Sequence, residues 1–256
     1  MEIKPYILIT NDDGIAAPGI HALVMAMKEI GDVVVVAPDS ERSAVGHAIT
    51  LSDPIRVVNF NKNSLWSGFA VSGTPADCVK IAVGALLERR PNLVVSGINL
   101  GSNAGINVIY SGTVSAATEG TILGIPSVAI SLTTYTNPIF STASDFAIKI
   151  AKTVLTKGLP KRTLLNINVP NVPKSEILGV EITRQGMANF AECFDKRVDP
   201  RKRVYYWMDG QKEDVYAGDD VDDEVIKKNK ISITPVKYDL TNYEFMNELK
   251  SWNVEI

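Results

Sequence analysis

The chain has 256 residues, 45% of them apolar and 21% charged, with a formal net charge of −3. At ~150 residues per domain this is one domain with an appendage or two domains, and bulk disorder is excluded because it needs low hydrophobicity and high net charge. The weakly acidic balance argues against binding a nucleic-acid duplex, which needs a basic face to displace counterions.

Residues 6–10 read as a strand. Residues 18–30 carry helical spacing (Ile20, Leu23, Val24, Met27, Ile30) and stop at Gly31. Residues 33–37, four valines and an alanine, read as a strand buried on both faces. Residues 55–60 and 65–71 read as two strands joined by a polar turn. Residues 75–90 read as a helix with an early proline and basic residues at its end. A strand at 92–96, a helix at 113–123, a strand at 127–131, a helix at 141–156 and a strand at 164–169 complete the series. Strands alternating with helices imply right-handed crossovers and a mainly parallel, Rossmann-like sheet flanked by helices. In such sheets ligands bind beyond the carboxyl ends of the strands. After Pro170 the pattern changes, with short strands at 177–183, 204–208 and 230–234 and a helix at 243–252. Residues 1–175 are therefore expected to form the main domain, and residues 176–256 an extension or arm used in oligomerisation.

The chemistry is expected in the loops after the strands. The first strand runs into Asn11-Asp12-Asp13-Gly14. Two adjacent carboxylates followed by a flexible glycine can turn toward one hard cation; a helix cap or surface turn is the alternative. Residues 38–44 form a serine-containing polar loop. The strand at 92–96 continues into Gly97-Ile98-Asn99-Leu100-Gly101-Ser102-Asn103-Ala104-Gly105, a loop that lets backbone amides approach a ligand and offers Asn99 as a neutral oxygen ligand. Tyr110-Ser111-Gly112-Thr113-Val114 opens a helix, and its free amides suit a phosphate or an ordinary cap equally. Asp, Asn, Ser and water together suit Mg²⁺ or Mn²⁺ and imply metal-assisted phosphoryl chemistry. A phosphate-binding G-x-x-x-x-G-K-[ST] loop, a G-x-G-x-x-G turn after the first strand and a G-x-S-x-G elbow are all absent.

Other residues read as structural. His47 is expected to make a local hydrogen bond rather than to act as general acid. Asp77 is expected to cap a helix, His21 to be structural, and Tyr205, Tyr206 and Trp207 to pack in the arm. The acidic run Asp219, Asp220, Asp222, Asp223 and Glu224 reads as a solvated helix N-terminus. The two cysteines lack C-x-x-C spacing, and no apolar run approaches the length of a membrane span, so the expected compartment is the cytoplasm.

Several segments resemble the SurE family of stationary-phase survival proteins. They are Ile-Leu-Ile-Thr-Asn-Asp-Asp-Gly at 7–14, Val-Val-Ala-Pro-Asp at 35–39, Gly-His-Ala-Ile-Thr-Leu at 46–51, Ser-Gly-Thr-Pro-Ala-Asp-Cys-Val at 72–79, Val-Ser-Gly-Ile-Asn-Leu-Gly at 95–101, Tyr-Ser-Gly-Thr-Val-Ser-Ala-Ala at 110–117 and Ser-Ile-Thr-Pro at 232–235. The resemblance implies a metal-dependent phosphatase that acts on nucleoside 5′-monophosphates, with activity on 3′-nucleotides or short polyphosphate in some members. It implies one divalent cation per subunit, held by Asp12, Asp13, Ser43 and Asn99. Asp12 and Asp13 are then the catalytic residues, and Asn11, Ser111, Gly112 and Thr113 the phosphate-binding ones. It also implies a C-terminal extension exchanged between subunits in a homodimer or homotetramer. The family's usual Gln-Ser-Gly is Arg42-Ser43-Ala44 here, which adds a positive charge beside the serine. The rival reading is a non-catalytic sensor that binds nucleotide and metal.

Overall fold

The computed structural model describes residues 4–187, 190–212, 216, 218–252 and 254. In chain order its strands are β1 (Tyr6–Thr10), β2 (Asp32–Pro38), β3 (Val57–Lys62), β4 (Trp66–Val71), β5 (Leu93–Leu100), β6 (Ser127–Leu132), β7 (Thr163–Val169), β8 (Val180–Ile182), β9 (Phe190–Val198), β10 (Val204–Lys212) and β11 (Ile231–Lys237). Its helices are α1 (Pro18–Met27), α2 (Pro75–Ile81), α3 (Asn107–Tyr110), α4 (Gly112–Ile122), α5 (Phe140–Lys157), α6 (Asp222–Lys227) and α7 (Tyr243–Lys250).

Nine strands form one sheet in the order β3-β4-β2-β1-β5-β6-β7-β11-β8. The run from β4 to β7 is parallel throughout, β3 is antiparallel to β4, and β11 is antiparallel to β7. The α/β class and the mainly parallel sheet agree with the sequence reading. From β1 the chain goes out to β2 on one side and returns to β5 on the other. The gap between the carboxyl ends of β1 and β5 is thus the topological switch point, where such sheets bind ligands.

Alternation along β1 divides the core. Ile7 and Ile9 face a layer made by Ile20, Leu23 and Met27 of α1 and Ala143, Ala147 and Val154 of α5. Leu8 faces the other way, toward Cys78 and Val79 of α2 and Ala116 of α4. With helices on both faces, β1, β2 and β5 are apolar on both sides, as their valine and isoleucine runs require. The β3–β4 connection is the three residues Asn63, Ser64 and Leu65, the first two with positive φ.

Some elements differ from the sequence reading. The helix expected over 75–90 is α-helical only to Ile81; it widens into a π-turn at Ala82–Leu86, and Leu87 is extended. Gly84 weakens the helix there, and Pro91 turns the preceding chain away from helical angles. Strand β5 continues to Leu100, with a shift of register against β6 between Ser96 and Asn99. Strand β9 was not expected and forms a separate two-stranded sheet with β10. The main sheet runs on past residue 175: β8 and β11 belong to it, whereas the β9–β10 hairpin does not.

Candidate active site

Four loop ends converge at the switch point. The first is the turn after β1. Asn11 is fully buried, and its Nδ2 donates to the Gly14 carbonyl at 2.9 Å, closing the turn. Gly14 has φ +95°, a conformation that side-chained residues rarely adopt. Its missing Cβ also lets the loop after β2 pass: a Cβ there would lie 3.1 Å from the Ser40 carbonyl carbon. The two loops are joined by backbone bonds, Arg42 N–H to the Asp12 carbonyl at 2.7 Å and Ile15 N–H to the Pro38 carbonyl at 2.8 Å.

Asp12 is nearly buried and reaches α4. The Thr113 hydroxyl donates to its Oδ1. Burial raises the Asp12 pKa, and the hydrogen bonds from Thr113 oppose that rise without cancelling it. Helix α4 begins with glycine because nothing larger fits there. A Cβ on Gly112 would lie 2.7 Å from the Asp12 Cβ and 3.1 Å from the Pro75 Cγ. Ser111 caps the helix by accepting from Val114 N–H at 3.1 Å, so its hydroxyl hydrogen is left to donate elsewhere.

Asp13 lies between the loops and is half-buried. Its pKa is raised to about 7, first by burial, then by the charge of Asp12, with Glu41 adding to the rise. The Leu100 backbone N–H partly offsets this and ties Asp13 to the end of β5. The neighbouring Asn99 is nearly buried, and its Nδ2 donates to the Gly101 carbonyl at 2.8 Å, leaving the amide oxygen as its donor atom toward a cation.

Ser43 is exposed on the loop after β2 and donates to Glu41 Oε1 at 2.8 Å. Glu41 thus holds Ser43 and raises the pKa of both aspartates, a carboxylate that sequence reading did not single out although it lies two residues from Ser43. Arg42 turns away from the aspartates: its Nη2 donates to the Ser72 carbonyl at 3.2 Å and lies 3.7 Å from Asp39. The charge that departs from the family pattern is thus directed at the end of β4.

The donor set fits a hard dication. It offers two carboxylates, an amide oxygen and a hydroxyl, with no thiolate or imidazole. Among the described residues no group of three or more His, Cys, Asp or Glu side chains could hold a metal. A cation held here would rest on neutral oxygens as much as on acids. Among the described residues neither Asp12 nor Asp13 is paired with a basic side chain. Two like charges side by side and unneutralised are what a cation would relieve.

Of the residues read as structural, Asp77 and His21 are so placed; His47 bonds a residue 72 positions away rather than a local one, and Tyr205, Tyr206 and Trp207 are exposed instead of packed. Asp77 and Thr74 form a capping box at the start of α2, and Asp77 also holds Thr50 through its N–H and hydroxyl. His21 Nδ1 accepts from the Trp66 indole at 2.9 Å. His47 Nε2 lies 2.9 Å from Oε2 of Glu119, whose Oε1 accepts from Lys80 at 2.9 Å. The acidic run departs from its expected solvated state: Asp222 is fully buried and accepts from three backbone N–H groups, those of Gly105, Gly186 and Asp223.

Comparison with known proteins identifies the fold and the family. The family described as Survival protein SurE matches residues 7–192. A relative from Syntrophobacter fumaroxidans named 5′-nucleotidase SurE is 48% identical over 97% of this chain and 99% of its own length. A second of that name, from Syntrophus aciditrophicus, is 51% identical over 95% of this chain and 92% of its own length. The crystal structure of the SurE protein from Aquifex aeolicus superposes with a TM-score of 0.85 at 41% identity, covering 98% of this chain and 100% of that one. The chain belongs to the SurE family.

Proposed function

We propose that the chain is a 5′-nucleotidase, a phosphoric monoester hydrolase that releases nucleoside and phosphate from nucleoside monophosphates. One observation carries the reading: the Asp12–Asp13 pair meets the free N-terminus of α4 at the switch point of a parallel sheet. A pair of acids selects a cation and a helix N-terminus selects an anion, and a metal–phosphate complex satisfies both. The relatives named above carry the matching activity in their names.

Asp12, Asp13, Asn99 and Ser43 would hold one Mg²⁺ or Mn²⁺ per subunit. That cation would draw electron density from the phosphoryl oxygens and screen their charge from the attacking group. The chain's own residues do the positioning. Thr113 fixes the Asp12 carboxylate through its hydroxyl. The Gly112 N–H and the Ser111 hydroxyl hydrogen are the donors available to a phosphate oxygen at the mouth of α4. Asn11 Nδ2 and the Thr113 hydroxyl, read from the sequence as phosphate donors, are instead taken by the Gly14 carbonyl and by Asp12. Hydrolysis forms a bond from water oxygen to phosphorus and breaks the bond from phosphorus to the sugar oxygen, which takes a proton as it leaves.

The chain is further proposed to work as a homodimer or homotetramer joined by residues after about 176. The support is an apolar, exposed surface on the β9–β10 hairpin and at the C-terminal helix, where Phe245, Met246 and Leu249 of α7 and Trp252 just after it are all exposed. No described helix is long and apolar enough to cross a membrane. Two unpaired thiols, Cys78 and Cys193, support a reducing compartment, the cytoplasm.

The test is phosphate release from AMP, 3′-AMP, short polyphosphate and p-nitrophenyl phosphate, with Mg²⁺, with Mn²⁺ and with chelator. Turnover of AMP only with metal is the expected result. Nucleotide binding without turnover under either metal would replace the enzyme with a sensor.

A further inference from the structure

The glycine-rich loop after β5 starts beside Asn99 and ends at Gly105, two residues before α3. Its backbone is held almost entirely by side chains from elsewhere. Asn103 N–H donates to Asn168 Oδ1 at 2.8 Å, and the Asn103 carbonyl accepts from Asn166 at 2.7 Å and Asn168 at 3.2 Å. The Asn103 amide donates to the Ser131 hydroxyl at 2.8 Å. Gly105 is gripped on both of its polar groups from the C-terminal part of the chain. Its N–H donates to Asp222 Oδ2 at 2.9 Å, and its carbonyl accepts from Gln185 Nε2 at 2.9 Å. The other oxygen of Asp222 accepts from Gly186 N–H and Asp223 N–H, each at 2.9 Å.

Asp222 has no exposed surface. A buried carboxylate costs stability unless its oxygens are filled, and here both are filled by backbone donors. Apart from its own neighbour Asp223, those donors come from two separate segments, so the carboxylate is a rivet between the loop and Gly186. What it rivets matters for the site. Gly105 lies just before α3 and its carbonyl accepts from the Val108 N–H in the first turn of that helix at 3.3 Å, and α3 leads directly into Ser111 and Gly112. At its other end the same loop supplies the Gly101 carbonyl that orients the Asn99 amide.

We infer that Asp222 is a positioning residue for the reaction: by holding Gly105 it sets both Asn99 and the mouth of α4. The inference rests on the reading that Asn99 serves a cation and α4 a phosphate. The residues after 175 then contribute more than a surface for assembly, because the catalytic loop takes its shape from one of them.

The test is Asp222→Asn, which keeps the volume but leaves one side-chain oxygen to face three N–H donors. Calorimetric titration with Mn²⁺ alone is expected to show affinity weakened by roughly tenfold, the size usual when a partner behind a metal ligand is lost. Backbone amides of residues 101–107 are expected to exchange hydrogen faster, and Asp222→Glu to recover part of the Mn²⁺ affinity. Mn²⁺ affinity and loop exchange both equal to the parent's would overturn the inference, even with a lowered Tm, since a merely structural carboxylate predicts that pattern. Should Asp222→Asn fail to fold, Gln185→Ala removes the second grip; a smaller loss of Mn²⁺ affinity supports the inference, and no loss overturns it. A parent chain that takes up no Mn²⁺ removes the metal reading itself and the inference with it, an outcome distinct from a parent and a variant that bind alike.

Discussion

Thr113, in the first turn of α4, donates its hydroxyl hydrogen to Asp12, 101 positions earlier in the chain. The bond joins the metal side of the site to the phosphate side. It also favours the ionised form of a carboxylate that burial pushes toward neutrality. Thr113→Val keeps the shape and removes the donor. It is expected to cost about 1–3 kcal/mol at pH 7, because a buried acceptor is left unfilled, and to lower metal-dependent turnover. Thr113→Ser should restore both. Urea unfolding and phosphate release from AMP are the measurements, and a Val variant of parental activity would show that the link is not needed.

Asp12→Asn separates the fold from the chemistry. The amide fills the same space, and removing a charge from a buried position does not in itself unfold the site. The far-UV circular dichroism should match the parent. Turnover with Mn²⁺ should fall roughly a hundredfold or more, since the cation loses an anionic ligand and a comparable share of its several kcal/mol of charge stabilisation. Full activity would defeat the assignment of Asp12 as a ligand.

What the sequence revealed follows the range of the forces involved. Strand β1 was readable to the residue because Tyr6–Thr10 is a short apolar run bounded by Pro5 and the polar Asn11. The loops after β1 and β5 were readable because carboxylates and glycines cluster locally at strand ends. Asp222 was misread as solvated because its partner Gly105 lies 117 positions away, and no local pattern announces such a contact. Glu119 was passed over as a helix residue for the same reason, its partner His47 being 72 positions away. Strand β9 was missed because Phe-Ala-Glu-Cys-Phe-Asp-Lys-Arg-Val carries too little apolar alternation, and it pairs only with β10, away from the core.

Glu119 gives a pH prediction. Burial alone would raise its pKa, but hydrogen bonds from His47 and Lys80 outweigh burial and hold it below the ordinary value of 4.5. A depressed folded-state value means that the stabilisation is complete above the unfolded value and is lost as pH falls through the folded one. Glu119→Gln removes the charge and puts an amide hydrogen against one of the two donors. The variant should be less stable than the parent at pH 7 by about 1–3 kcal/mol. The gap should close as the pH falls well below the ordinary carboxylate range. Denaturant midpoints for both proteins across that range test it; a gap that widens in acid would contradict the sign.

The β9–β10 hairpin tests the proposed assembly more cleanly than a cut near residue 176 does. Such a cut would strip β11 and β8 from the main sheet, together with Asp222, and would expose the edge of β7. The hairpin stands outside that sheet. Its register places Phe194 opposite Met208, Lys196 opposite Tyr206 and Val198 opposite Val204. Alternate residues share a face, so Phe194, Val198, Val204, Tyr206 and Met208 lie together, and each is more than half exposed. Solvent is a poor partner for a mostly apolar face of this kind, interrupted by Lys196, and a second copy of the chain is a good one. The pair Phe194→Glu and Met208→Glu sets two like charges directly across the ladder on that face, where burial in an interface would leave them unpaired. Self-association should weaken by roughly a hundredfold or more, as loss of central aromatic contacts does. Light scattering should then report a smaller assembly with the main sheet intact by circular dichroism, while a variant with the parent's mass would move the contact off this hairpin.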